Sequence, residues 1–210
     1  MEARYIAGID YSLCGPAICV HEMEDGKPFS FRNCAFFFLT DSKSIVGQIM
    51  SNIRGELFNE WDHECERYDT IAEWAFDKVR ACSQVALEDY AFAAKGRVFH
   101  IAENTGLLKY KLWQGSIPVE VISPTHVKKM ATGKGNADKD MMHDSFRAES
   151  KVDLRLAITP GRTKPSSPVT DLVDSYYICK VLYGRLTGAC PFPKSDSEDD
   201  PPLWQASDED

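Results

Sequence analysis

No apolar run in the chain reaches the length needed to cross a bilayer; the longest cluster, CAFFFL at 34–39, is strand-sized. The N-terminus, MEARYIAGID, has neither a basic flank nor an extended apolar stretch, so no secretory signal is read there and an intracellular, soluble protein without a membrane partner is expected. The seven cysteines, at 14, 19, 34, 65, 82, 179 and 190, include no Cys-x-x-Cys pair. They read as reduced thiols, mostly core filler, and zinc is weakly supported, since the one His-x-Cys at His63 and Cys65 has no second pair. No Gly-x4-Gly-Lys-Ser/Thr spacing occurs, so GKGNADK is not a P-loop, and there are no internal repeats.

A surplus of base is also missing. The net charge is −8, which argues at first against a nucleic-acid partner. Its distribution reverses that inference. Residues 195–210 carry seven acids and no base, while residues 1–194 carry 25 acids against 24 bases. The expected organisation is one domain over residues 1–190 and an acidic, disordered tail over 191–210.

With 43% apolar residues, the body is that of a soluble globular protein. Three strand-like stretches open it, Arg4–Asp10, Ala17–Glu22 and Phe31–Leu39, joined by a Gly-Pro turn and by Asp25-Gly26. A helix is expected around Trp61–Val79, then a short strand ending at Glu88, a helix from Val98 to Leu112, and a strand over Pro118–Ile122. Ser123-Pro124 is a helix start, with helices near Thr125–Ala131 and Asp138–Arg147. Residues 149–168 are read as a loop and Val169–Tyr183 as the last helix. The fold class is α/β: a five-stranded mixed sheet, three antiparallel strands then two parallel, with helices on both faces.

Several acids sit where apolar residues are expected. Asp10 and Glu88 each end a strand that should be buried, and Asp171 and Asp174 share a helical face that continues through Ile178 and Leu182. Asp is a common turn residue, and acids suit a helix N-terminus, so each alone has a structural explanation. Taken together, unpaired buried carboxylates are costly, and no nearby lysine or arginine lies in these strands or on this face. All-oxygen ligation selects Mg²⁺, with Mn²⁺ as a substitute, and four carboxylates can hold two such ions for phosphodiester hydrolysis.

Basic residues form two groups. Lys95, Arg97, Lys109 and Lys111 flank the second helix; Lys128, Lys129, Lys134 and Lys139 cluster later. Lysines on amphipathic helices are usually solvated, but beside an acid site they suit phosphate contacts. Arg155, Arg162 and Lys164 are further candidates on the long loop, while His126 and His143 read as helix-surface residues.

GIDYSL, VALEDYAFAAKG, VISPTHVKKMATGKGNADKDMM and DLVDSYY, in that order, resemble the RuvC-type Holliday-junction resolvases of the ribonuclease H-like nuclease superfamily. The likeness covers most of residues 4–184 and is poor around 40–80 and 149–168. It implies a ribonuclease H-like five-stranded sheet, a homodimer, and a four-carboxylate Mg²⁺ site formed by Asp10, Glu88, Asp171 and Asp174. It also implies DNA contacts from Lys128, Lys129, Lys134 and Lys139, and an aromatic offered to the junction centre by Phe92 or its rival Tyr90. The implied activity is paired symmetric nicking of four-way DNA junctions. Tyr11-Ser12 stand where the family usually has Pro-Gly. Alternatives are a related nuclease acting on flaps, forks or RNA–DNA hybrids, and a catalytically silent DNA-structure-binding protein. An actin-like ATPase is a further alternative, weakened by the missing Gly-rich turn after Asp10.

Overall fold

Two strand ends and one helix position the acids, and the sheet explains why they can meet. The computed structural model describes residues 4–24, 27–89 and 98–190. The expected turn at Asp25-Gly26, the tail at 191–210, and the candidates Tyr90, Phe92, Lys95 and Arg97 lie outside the described residues.

Strands β1 (Arg4–Asp10), β2 (Ala17–Met23) and β3 (Cys34–Thr40) form the antiparallel meander expected from the sequence. Strand β6 (Cys82–Glu88) pairs parallel to β1, and β7 (Val119–Ile122) pairs parallel to β6. The five-strand expectation is corrected by two additional strands, β4 (Gly47–Met50) and β5 (Ile53–Leu57). The sheet therefore has seven strands in the order β4-β5-β3-β2-β1-β6-β7, with β5 parallel to β3. These two strands are short, and β4 forms the edge of the sheet. Only Ile53 and Gly55 of β5 are buried, and a strand this short with glycine at one of its two inward positions gives little signal in sequence.

Helices cover both faces. Helices α1 (Glu64–Val79) and α2 (Val98–Gln114) pack on one, where Ile9, Ile18, Val85 and Leu87 meet Ala72, Ala75, Leu108 and Leu112. Helices α3 (Pro124–Thr132), α4 (Lys139–Ser150), α5 (Leu154–Ile158) and α6 (Val169–Thr187) cover the other, where Ile6, Cys19, Phe36 and Ala86 meet Phe146, Leu154, Tyr176 and Leu182. The strand period of two accounts for this division, since Ile6 and Ile9 differ in parity and enter different cores.

Local chemistry sets the helix starts. Ser123 caps α3 with Pro124 at its first turn, as expected, and Asp138 caps α4 by accepting from Met141 N at 2.8 Å. The reading of 149–168 as loop is corrected by α5, capped by Asp153, whose two buried residues Leu154 and Ile158 are four apart. His143 is buried rather than on the helix surface, with Nε2 3.5 Å from the Asp153 carboxylate. Trp61 lies before α1 and is partly exposed, with the Arg67 guanidinium 4.5 Å from its ring centre.

Helix α6 lies unusually close to β1. A Cβ built on Gly8 would fall 2.2 Å from Cys179 N and 2.6 Å from Ser175 O, so only glycine allows this approach. Both obstacles are backbone atoms and cannot turn aside. Gly8→Ala is expected to lower stability by about 3 kcal/mol, the upper part of the usual overpacking range. That corresponds to a fall in Tm of roughly 6–12 °C for a domain of this size, measurable by calorimetry.

Candidate active site

Asp10 and Glu88 are the last residues of adjacent parallel strands. Ile9 pairs with Leu87, so the two acids are neighbours at the same end of the sheet. Ile6 and Ala86, which share their respective parities, belong to the core beneath α6, so both carboxylates are directed to the α6 side. Helix α6 runs against β1 with Ser175 and Cys179 over Gly8. The preceding turn of α6 therefore carries Asp171 and Asp174 to the end of β1.

The charges of these acids act on one another. Asp10 is pushed well above the ordinary carboxylate range, first by burial and then by Asp174, Asp171 and Glu88 in turn. Burial and Asp174 raise Glu88 to about 7. Burial and Asp171 raise Asp174 to about 7. Asp171 is held differently, accepting from Ser167 Oγ and, at 3.0 Å, from Thr170 Oγ1. All four acids keep part of their surface exposed, so the cluster is open to a ligand.

Two lysines oppose this charge. Lys128 and Lys139 act on both Glu88 and Asp174, and Lys139 acts on Asp10 as well. Among the described residues no lysine or arginine makes an ion pair with any of the four acids. Lys139 is brought here by α4, which Glu149 ties to α6 by accepting from Tyr176 Oη at 2.8 Å and from Lys180 Nζ at 2.6 Å. Lys134 is exposed in the loop that follows Gly133, a left-handed helix cap. The Lys129 stem packs beside Gly135. Lys111 braces α2 against α1 through Asp69 at 3.0 Å and Glu73 at 2.6 Å. Lys109 is drawn toward Asp89, the residue after Glu88.

Whether this donor set suits a metal ion can be judged from its chemistry. Among the described residues no three His, Cys, Asp or Glu side chains are gathered into a ready-made metal sphere. The four carboxylates nevertheless lie in one another's field, are half-buried, and are all hard oxygen donors, which fits magnesium or manganese and not zinc. His63, considered for zinc, uses its side chain to accept from Cys65 N at the start of α1.

Residues outside the sequence-derived set also shape the site. A Cβ on Gly15 would fall 2.6 Å from Ser167 Oγ and 2.7 Å from Asp171 Oδ2, so the β1–β2 loop lies directly against Asp171. Tyr11 Oη donates to the buried Asn104 at 3.2 Å, and Arg67 donates to Leu13 O at 2.7 Å. These bonds hold the loop to α2 and α1. Gly15-Pro16 was legible as a turn; its contact with Asp171 was not.

No family model and no curated protein matches the chain. Two solved structures resemble it over most of its length. Thermus thermophilus RuvC aligns with a TM-score of 0.58 at 16% identity, covering 88% of this chain and 97% of that one. Thermus thermophilus RuvC in complex with Holliday junction substrate aligns with a TM-score of 0.55 at 16% identity, covering 90% and 99%. The chain thus has the RuvC-type resolvase fold.

Proposed function

We propose that the protein is a metal-dependent endonuclease that resolves four-way DNA junctions. The observation that carries this reading is the convergence of Asp10, Glu88, Asp171 and Asp174 with no cationic partner in contact among the described residues. The fold shared with two solved structures, one of them in complex with Holliday junction substrate, supports the choice of substrate.

Asp10, Glu88, Asp171 and Asp174 would hold Mg²⁺, two ions per site, with Mn²⁺ able to substitute. Bound there, the metal supplies Lewis acidity and an activated water for hydrolysis of a phosphodiester. The protein's own groups perform the rest. Asp10 and Glu88, on rigid strand ends, keep the donor geometry fixed. Ser167 and Thr170 orient the Asp171 carboxylate through their hydroxyls. Lys128 and Lys139 attract the scissile phosphate toward the acids, while Lys134 and Lys129 continue the positive surface along the strand. Among the described residues no helix is long and apolar enough to cross a membrane.

Paired nicks require two such sites. Helix α2 turns outward a face on which Phe99, Tyr110 and Trp113 are 81%, 54% and 60% exposed, with the Tyr110 and Trp113 rings stacked at 5.8 Å. These residues lie within one stripe of the helix, and Gly106 between them leaves open space. A second copy of the chain, related by a two-fold axis, covers this stripe in the proposed dimer.

Purified protein with Mg²⁺ should cut a synthetic four-way junction by symmetric paired nicks, in preference to flaps, forks and RNA–DNA hybrids of the same sequence. Asp10→Asn and Glu88→Gln should each lower the rate by roughly 100- to 1,000-fold or more, the range for losing a preorganised charged group. Trp113→Glu should shift the protein toward monomer in light scattering and convert paired nicks into single ones.

A stability measurement probes the same cluster without DNA. Folding raises Glu88 from 4.5 and Asp174 from 3.8 to about 7, so the native state holds protons that the unfolded chain has released. Stability contributed by these groups is therefore present at pH 4 and is lost as pH rises to about 7. In chelator, Tm is expected to fall across that window. At pH 8, millimolar Mg²⁺ should restore it by about 3 °C or more in the wild type and by little in Glu88→Gln.

A further inference from the structure

The acid-rich segment at 195–210 has no part in the reading above. It carries seven acids and no base, and four of the acids, Asp196, Glu198, Asp199 and Asp200, fall close together. The fold fixes where this segment starts. Cys190 N donates to Gly184 O at 2.9 Å, which folds the chain back on the end of α6. That same end meets α3, since Arg185 in the last turn of α6 donates to His126 Nδ1 at 3.2 Å. Helix α3 carries Lys128 and Lys129, and Lys134 follows it.

Distance along the chain is sufficient. From Gly184 back to Asp174 the helix runs about 15 Å, at about 1.5 Å per residue. Asp174 lies in the field of Lys128 and Lys139. Residues 191–196 span at most about 20 Å when extended, so the first acids can reach these lysines. The remaining acids have length to spare.

The other lysines offer less. Lys78, Lys111 and Lys180 already pair with Glu56, Glu73 and Glu149. Among the described residues Lys128, Lys134 and Lys139 make no ion pair, and Lys134 and Lys139 are exposed. A single exposed ion pair contributes little. Tethering changes the balance, because a short linker holds the acids near the lysines at an effective concentration of about a millimolar. DNA phosphates need the same lysines and must displace whatever neutralises them.

We propose that the chain's own acidic segment, residues 196–210, lies on Lys128, Lys134 and Lys139 in the absence of nucleic acid and is displaced by the DNA backbone. The segment acts as a built-in competitor that sets the affinity of the site for its substrate. The identity of the displaced competitor's rival rests on the nuclease reading; the contact between segment and lysines does not.

Two measurements on the full chain test this. In the first, the seven acids are replaced by Asn or Gln, and a Tm equal to wild type verifies folding. Affinity for a four-way junction is then measured with Ca²⁺ in place of Mg²⁺. The neutral segment should tighten binding about tenfold at low salt, the scale of a tethered competitor, and by about twofold or less at high salt, where screening releases it in the wild type as well. Loss of net charge alone could also tighten binding, so the second measurement reads contact. A carbodiimide joins a carboxylate to an amine only where the two touch. Wild type without DNA should yield cross-linked peptides joining 195–210 to Lys128, Lys134 or Lys139, and saturating junction DNA should abolish them. Mixing isotopically heavy and light protein shows whether both ends belong to one chain. Unchanged affinity of the neutral variant, absent cross-links, cross-links that persist under DNA, or cross-links found only between heavy and light chains would each overturn the inference. If the cross-links form but neither protein binds or cuts branched DNA, the nuclease reading fails and the competitor role fails with it, while the contact stands.

Discussion

The close approach of α6 to β1 at Gly8 is the constraint on which the rest of the molecule depends. A side chain at that position would meet the backbone of Ser175 and Cys179, which cannot move without lifting the helix. Because the helix sits so low, its preceding turn places Asp171 and Asp174 at the level of the strand ends. Parallel pairing of β1 with β6 then adds Glu88 beside Asp10. One backbone contact and one strand register thus bring together four acids spread over more than 160 residues of chain.

Such a gathering is unfavourable by itself. Burial and mutual repulsion raise Asp10, Glu88 and Asp174 together, and Lys128 and Lys139 relieve this only from a distance. A fold optimised for stability alone would have placed an arginine among them or replaced them with apolar residues. Retained charge of one sign at the ends of rigid strands is what the proposed cation site would require. The supporting contacts agree with this, since Glu149 fixes α4, and Tyr11, Arg67 and Gly15 fix the loop that bears on Asp171.

The parts of this arrangement that follow local rules were legible in the sequence. The strand ending at Asp10, the Ser123-Pro124 helix start and the face shared by Asp171 and Asp174 depend on periodicity and capping, and the structure has each of them. Strands β4 and β5 were not legible, because they are only four and five residues long and bury only Ile53 and Gly55 deeply, one of them a glycine that carries no apolar side chain to mark the pattern. The short α5 was hidden among prolines and basic residues, and the burial of His143, which faces Asp153 at the start of α5, was missed with it. Ser167 and Gly15 gain their meaning only from a contact across some 150 residues, which no local pattern encodes. The acid set was recognised because burial expected from each segment conflicted with charge in the same way three times over.

The cation itself is the direct test of this account. Crystals of the protein grown with Mn²⁺ and measured at the manganese edge should show anomalous density bounded by the carboxylates of Asp10, Glu88, Asp171 and Asp174. Well-ordered crystals with no anomalous density there, and with Lys128 and Lys139 turned in to pair with the acids instead, would contradict it.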